Sequence, residues 1–326
     1  MRVLIATAVA AGLGVVLIQN AAAQDAAAYP SRPVRWVVPF PPGASNDITA
    51  RLLAQKLSDS MGQQFIIDNR PGAGGSIGAK IAVDAAPDGH TLLHANPGPS
   101  VNNVLMRRKP PYRMSDLAPV MFIGYVPLII VAQPKFEPNT PKQLAAHAKA
   151  HPGKLTWASS GNGSSLHIGL ALFQAATGTD VVHVPYKGTA PALTDVVGGR
   201  VNVMYTTTVS GEAHIKAGRI KVIGVAAPKR QPVIPNVPTL AEEGIRNAEA
   251  TVWFGVQVHA QTPRAVIARL NTALNQALAM PDVQARMEQL GLVIAGGTPA
   301  DFATFIKGES DRLNMLIKSG RVEMID

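Results

Sequence analysis

The sequence predicts an α/β protein with two lobes, each built around a mostly parallel β-sheet. Short apolar strands alternate with helical patterns of about 10–15 residues, which is typical of βαβ units. The chain of 326 residues is long enough for two domains of roughly 100–200 residues each. Apolar segments at 125–132 and 252–258 are suited to connecting two lobes. We therefore expect residues 24–124 and 252–326 to form a first lobe and residues 125–251 a second.

The chain begins with the features of a secretion signal. Arg2 is followed by an uncharged apolar run at 3–18, and the alanines at 21–23 form the small-residue pattern that signal peptidase recognises. We expect cleavage before Gln24. A buried first helix or a membrane anchor is the alternative, although the run is just short of a spanning segment. The chain has no cysteine, which excludes attachment of a lipid at that position.

Strands and helices then follow one another to the end of the chain. The predicted strands lie at 34–38, 65–67, 91–93, 128–131, 155–158, 181–183, 201–205, 222–225 and 252–258. The first predicted helix begins at Asn46 or Asp47 and carries Ile48, Leu52, Leu53 and Leu57 on one face. Further helices are predicted around 77–81, from Thr140 and Pro141, from Ser164 or Ser165, and over 191–197, 263–278 and 301–317. A proline-rich connection fills 228–238.

The composition excludes several classes of function. Without cysteine the protein has no disulfide, thiolate zinc site, iron–sulfur cluster or cysteine nucleophile. Hydrophobic residues make up 47% and charged residues 16%, which argues against disorder. The net charge of +9 is compatible with nucleic acid or with anionic ligands. Because the basic residues are scattered and form no stripe, we expect no nucleic-acid partner.

Two loops that follow predicted strands are candidates for ligand binding. Residues 159–165 read Ser-Ser-Gly-Asn-Gly-Ser-Ser and lead into a helix, so their backbone N–H groups suit a carboxylate or phosphate. Residues 39–47 take the equivalent place after the first strand. Ligands of α/β proteins bind at the carboxyl ends of parallel strands, so the two loops are expected to face each other across a cleft. The alternative for each is a tight structural turn.

Other motifs give weaker signals. The glycines at 72–78 have the wrong spacing for a dinucleotide fingerprint, and no Gly-Lys-Ser/Thr follows them as in a phosphate loop, so we expect them to pack a helix against a sheet. His147 and His151 have zinc-ligand spacing but no third ligand, so no metal site is expected. Ser164 or Ser165 with His167 would suit a secreted serine hydrolase, the alternative function. That alternative has no acidic third partner and no nucleophile-elbow spacing.

Eight segments, in order along the chain, resemble the Bug-type periplasmic solute receptors of tripartite tricarboxylate transporters. They are Tyr-Pro-Ser-Arg-Pro-Val-Arg at 29–35, Pro-Phe-Pro-Pro-Gly at 39–43, Asp47 with Arg51, Asp-Asn-Arg-Pro-Gly-Ala-Gly-Gly at 68–75, Pro-Asp-Gly-His-Thr-Leu-Leu at 87–93, the 159–165 loop, His-Val-Pro-Tyr-Lys-Gly at 183–188 and Pro-Thr-Leu-Ala-Glu at 238–242. The resemblance implies a type II Venus flytrap fold that closes on a small carboxylate. It also implies a non-catalytic, monomeric periplasmic receptor without a cofactor, which delivers its ligand to a membrane permease.

The resemblance also implies which residues contact the ligand, a mono-, di- or tricarboxylate that can be aromatic. In the first lobe they are Phe40, Pro42, Gly43 and Asp47, and in the second Ser159, Asn162, Gly163, Ser164, Ser165, His183, Tyr186, Gly188, Thr206 and Thr207. The chain departs from the family at two places. Residues 42–45 read Pro-Gly-Ala-Ser where Pro-Ala-Gly-Gly is common, and the acidic residue that many members carry near Thr206 is absent. The second departure favours a carboxylate without an amine.

Overall fold

The computed structural model describes residues 29–325, which fold into two lobes. The predicted signal peptide and its cleavage site before Gln24 lie outside this range. The first lobe contains a six-stranded sheet of β1 Val34–Val38, β2 Phe65–Asn69, β3 Thr91–Ala95, β4 Leu117–Pro127, β10 Thr251–His259 and β11 Val293–Ile294. The second contains a five-stranded sheet of β5 Ile129–Ala132, β6 Thr156–Ser159, β7 Val182–Pro185, β8 Val203–Thr206 and β9 Lys221–Val225. The two-lobed α/β prediction is thereby confirmed.

Both sheets are mixed, which corrects the expectation of mostly parallel sheets. In the first sheet, with the order β11-β4-β10-β3-β1-β2, β1 pairs in parallel with β2 and β3. In the second, with the order β7-β6-β8-β5-β9, β6 pairs in parallel with β7 and β8. Among the described strands, four of the five antiparallel pairs involve β10 or β5, the two strands that the chain enters directly after passing from one lobe to the other. The fifth joins β11 to β4.

Nine helices longer than one turn surround the sheets within residues 29–325. They are α1 Ser45–Met61, α2 Ser76–Val83, α3 Pro141–Ala150, α4 Ser165–Thr177, α5 Thr189–Val197, α6 Thr208–Lys216, α7 Arg264–Leu278, α8 Pro281–Gln289 and α9 Pro299–Lys318. Short helical turns follow β3 at Gly98–Asn102 and Asn103–Leu105. The sequence patterns did not indicate α6, α8, β11 or most of β4. No helix in the described part of the chain is both long and apolar enough to cross a membrane.

The chain passes between the lobes at two adjacent places. Leu128, between β4 and β5, donates its N–H to the carbonyl oxygen of Ala250, just before β10, at 2.9 Å. Ala226 donates to the Leu128 carbonyl at 2.8 Å, and Ala250 to the Ala226 carbonyl at 3.0 Å. The two backbone crossings, at Leu128 and at Ala250, therefore lie side by side and are joined by hydrogen bonds. Such a narrow connection between two lobes suits hinge motion. The predicted boundaries at 124/125 and 251/252 fall within β4 and β10 and stay a prediction.

The cores explain why the strands form where the sequence places them. Trp36 of β1, Trp157 of β6 and Trp253 of β10 are all fully buried. On α1, Leu53 and Leu57 are fully buried on the face that the spacing predicts. Burial of such side chains contributes about 1.5–3 kcal/mol each, so the sheets form a rigid support for the loops at their carboxyl ends.

Candidate functional site

A small cavity lies between the two lobes. Its wall includes Phe40, Ser45, Asn46, Asn96 and Val252 from the first lobe and Ser160, Ser164, Ser165, Leu166, Thr189, Thr206, Thr207 and Ser210 from the second. The cavity has a free volume of about 10 Å³ for the centre of a water molecule, which is room for roughly one water. The lobes are therefore closed on each other, and a larger ligand enters only when they separate.

Four helices begin at the wall of this cavity. Ser45 opens α1, Ser164 caps α4, Thr189 opens α5 and Thr207 caps α6. The first N–H groups of a helix have no partner inside the helix, and each N-terminus carries the equivalent of about half a positive charge. Among the described residues, the wall includes no ionisable side chain. The cavity therefore offers an anion partial positive charge and hydrogen-bond donors without a formal cation.

Several polar side chains of the wall are already oriented. Asn96 donates its Nδ2 to Oδ1 of Asn46 at 2.7 Å, which leaves the Asn46 amide nitrogen as the group available to a ligand. The Ser45 N–H of the first lobe donates to Oγ of Ser210 in the second at 2.8 Å, so the lobes contact each other directly beside the cavity. Thr206 is fully buried, and its hydroxyl has no hydrogen-bond partner among the described residues. That hydroxyl is therefore a fully buried donor of the wall without a protein acceptor among the described residues.

The structure brings five of the predicted site residues to the wall: Phe40, Ser164, Ser165, Thr206 and Thr207. The other nine, all within the described range, lie outside it: Pro42, Gly43, Asp47, Ser159, Asn162, Gly163, His183, Tyr186 and Gly188. Most of these nine support the loops that form the wall.

Asp47 holds the first-lobe loop in place. Its carboxylate accepts hydrogen bonds from the Gly43 N–H at 3.0 Å, from Arg51 Nε at 2.9 Å and from Asn69 Nδ2 at 3.0 Å. Burial alone would raise the pKa of Asp47, but these hydrogen bonds and the Arg51 charge lower it below its usual value. Asn69 also donates to the carbonyl oxygen of Phe40 at 3.0 Å, so the ionised Asp47 fixes the loop that carries Phe40.

His183 and Tyr186 are supports of the second lobe. Nε2 of His183 lies 2.6 Å from Oγ of the fully buried Ser159, and its ring stacks on His167 with centroids 4.4 Å apart. Burial and the neighbouring His167 lower the pKa of His183 to about 4. Tyr186 donates its hydroxyl to Asp195 at 2.6 Å. Each group is thus engaged within its own lobe.

The contacts of His167 give no support to the hydrolase alternative. Its backbone N–H donates to Oγ of Ser164 at 3.3 Å, so this serine acts as the cap of α4. Its ring Nδ1 accepts the Gly163 N–H at 3.2 Å and is thereby occupied. Within residues 29–325, no three histidine, aspartate or glutamate side chains are grouped as metal ligands. The rings of His147, on α3, and His151, directly after it, lie 4.7 Å apart.

Glycines allow the two lobes to approach each other beside the cavity. A Cβ atom at Gly163 would overlap Oδ1 of Asn103 in the first lobe, and one at Gly188 would overlap the ring of Pro41. In the first-lobe glycine loop, Gly78 packs against Pro39 as the sequence predicts, whereas Gly74 lies against the carbonyl oxygen of Asn162 in the second lobe. Gly74, Gly163 and Gly188 therefore belong to the seam between the lobes and not to the wall of the cavity.

Sequence reasoning missed part of the wall. Asn96, Thr189 and Ser210 lie outside the two candidate loops and were missed. Ser45, Asn46 and Ser160 lie within those loops but were not among the predicted contacts. Asn96 directly follows β3 and was detectable, because residues at the carboxyl ends of parallel strands are the expected ligand contacts. Ser210 lies on α6, whose Thr-Val-Ser-Gly start has low helix propensity and hides the element.

The two mixed sheets, the double crossing and a polar cavity between the lobes define a two-lobed binding protein of the type II flytrap class. Residues 49–321 match the profile of the family described as the tripartite tricarboxylate transporter family receptor, TctC. The chain belongs to this family.

Curated and solved relatives agree with that assignment. Protein BugT of Bordetella pertussis is 36% identical over 294 residues, which cover 90% of both chains. A protein of R. palustris solved with adipate is 33% identical with a TM-score of 0.86, covering 89% of this chain and 97% of that one. MatC of Rhodopseudomonas palustris, solved with bound malate, is 32% identical with a TM-score of 0.83, covering 87% and 98%.

Proposed function

We propose that this chain is an exported, non-catalytic receptor that binds a small organic carboxylate between its lobes. The convergence of four helix N-termini on a cavity whose wall, within the described part of the chain, has no ionisable side chain carries the proposal, because such a site stabilises an anion and offers no acid or base for catalysis. Membership of the tripartite tricarboxylate transporter receptor family supports it. So do the relatives solved with adipate and malate.

The partner and the location follow from the same proposal. The ligand stabilises the closed form, which a tripartite tricarboxylate-type permease recognises in the membrane. The receptor works as a monomer in the periplasm after cleavage before Gln24. The two lobes move relative to each other as rigid bodies: residues 24–124 with 252–326 form one, and residues 125–251 form the other. The ligand is contacted by the wall residues Phe40, Asn46, Asn96, Ser164, Ser165, Thr206 and Thr207. The nine predicted residues outside the wall hold in place the loops that carry these contacts.

A thermal-melt panel tests the proposal. We expect at least one acid among malate, adipate, citrate, acetate and benzoate to raise the melting temperature by about 5 °C at a hundredfold excess over its Kd, since binding to the folded state alone stabilises it. Succinamide, which has no charge, serves as the control and should give no shift. A panel in which no acid raises the melting temperature contradicts the proposal.

A second expectation concerns the charge of the ligand. Succinate, malate and aspartate share a carbon skeleton and differ by a hydrogen, a hydroxyl or an ammonium group. Helix N-termini surround the cavity, and among the described residues its wall has no carboxylate, so an ammonium group finds no negatively charged partner there. We expect calorimetry to give aspartate an affinity at least about tenfold below that of succinate, with malate as the control for a polar substituent, and the same order for 2-aminoadipate and adipate. Equal or tighter binding of the amino acids would overturn this expectation.

A further inference from the structure

The turn before α4 is contacted by the first lobe at a point outside the cavity. Asn102, in the helical turn after β3, donates its Nδ2 to the carbonyl oxygen of Gly163 at 3.0 Å. Asn102 belongs to the first lobe, where its neighbour Ser100 donates to Gln257 of β10 at 2.7 Å. Because Gly163 directly precedes Ser164, the hydrogen bond from Asn102 fixes the peptide that positions the α4 cap.

The C-terminal tail, residues 320–325, reaches the same turn. It follows α9, whose Phe302 stacks on Phe122 of β4 at 5.8 Å and so belongs to the first lobe. Within the tail, Val322 is buried. The N–H of Ile325 donates to the carbonyl oxygen of Met106 at 2.8 Å, which attaches the tail to the first lobe once more.

Ile325 of the tail lies against Gly163 of the loop. Its Cδ1 would lie 3.1 Å from a Cβ atom at Gly163. A cavity of about 410 Å³ lies between the tail, including Ile325, and α4, where its lining includes Ala171 and Gln174. Through Ile325, a segment attached to the first lobe therefore contacts the turn before α4 in the second lobe.

We propose that Asn102 and Ile325 are positioning residues that couple closure of the lobes to the conformation of the 159–165 loop. Both are anchored in the first lobe and both contact Gly163 in the second, so they contact it only when the lobes are together. Interactions present only in the closed state shift the equilibrium toward it and add to ligand affinity without touching the ligand. The inference rests on the proposed function for its biological sense, but the contacts themselves require no ligand.

Single-molecule fluorescence of the ligand-free chain tests this proposal. Because the chain has no cysteine, Ser60→Cys on α1 and Lys149→Cys on α3 place one label on an exposed site of each lobe. We expect wild type to show a measurable closed population. Asn102→Asp, which keeps the shape but replaces the donor with an acceptor, and Ile325→Ala should each lower the closed-to-open ratio about fivefold or more.

The control is Met324→Ala, an exposed residue of the same tail, which should keep the wild-type ratio. Melting temperatures are measured in parallel, because a merely structural role would lower them and leave the ratio unchanged. An absent closed population in wild type, or a wild-type ratio in both Asn102→Asp and Ile325→Ala, overturns the proposal. A carboxylate panel without any binder would contradict the proposed function and leave this ratio unaffected.

Discussion

Replacing Gly163 with alanine is expected to lower the affinity for the carboxylate ligand at least about a hundredfold. A Cβ atom there would overlap Oδ1 of Asn103, a fully buried side chain whose Nδ2 already donates to the carbonyl oxygen of Gly74 at 2.8 Å. The collision arises only when the lobes close, so the variant favours the open form. Loss of a closed state that is needed for binding reduces the apparent affinity by the same factor as its population.

The fold of the Gly163→Ala variant should survive. The positive φ of 74° costs an alanine about 1–2 kcal/mol in free energy of unfolding, and separation of the lobes relieves the collision. Gly178→Ala is the matched control, since Gly178 has a φ of 63° at the other end of α4 and no atom within 4 Å of the added Cβ. We expect urea unfolding to give both variants similar stability and calorimetry to show lost binding for Gly163→Ala alone. Equal affinities would mean that closure does not pass through this contact.

The sequence contains enough information to predict the two lobes because their elements depend on local patterns. Val34–Val38 is a short apolar run ended by Pro39, and Thr140 with Pro141 marks the start of α3, where the Gln143 N–H donates to Oγ1 of Thr140. The pairing of β10 with β3 and β4 depends on contacts between residues far apart in the chain. Local patterns therefore could not predict that the sheets are mixed.

The candidate site, like the fold, could be predicted from local sequence patterns only in part. The 159–165 loop was predictable as a helix start because its hydroxyl and glycine residues follow a strand, and Ser164 and Ser165 do lie on the wall. Which side of each loop faces the cavity depends on the approach of the other lobe. Thus Asn162 and Gly163 face the seam between the lobes, where they contact Gly74 and Asn102 of the first lobe. Their neighbours in the sequence, Ser160 and Ser164, reach the wall of the cavity. The contact of Ile325 with Gly163 joins two segments that share no sequence signal.

Thr206→Val is expected to change stability and binding in opposite directions. The hydroxyl of Thr206 is fully buried and has no partner among the described residues, so it pays desolvation without a compensating protein hydrogen bond. Valine has a similar shape and removes that unmatched group. We expect the free energy of unfolding of the ligand-free protein to rise by up to about 1 kcal/mol in urea titrations.

The same substitution should weaken the carboxylate complex about ten- to a hundredfold in calorimetry, because a hydrogen bond to a charged group contributes about 1.5–3 kcal/mol. Thr177→Val is the matched control: Thr177 is also buried, but its hydroxyl donates to the carbonyl oxygen of Phe173 at 2.7 Å. That variant should lose stability and keep its affinity. If Thr206→Val destabilises the ligand-free protein and binds as wild type does, the hydroxyl serves the fold and not the ligand. The change in the free energy of unfolding is thus expected to have opposite signs in Thr206→Val and Thr177→Val. This difference distinguishes a hydroxyl that is available to an anionic ligand from one that stabilises the fold.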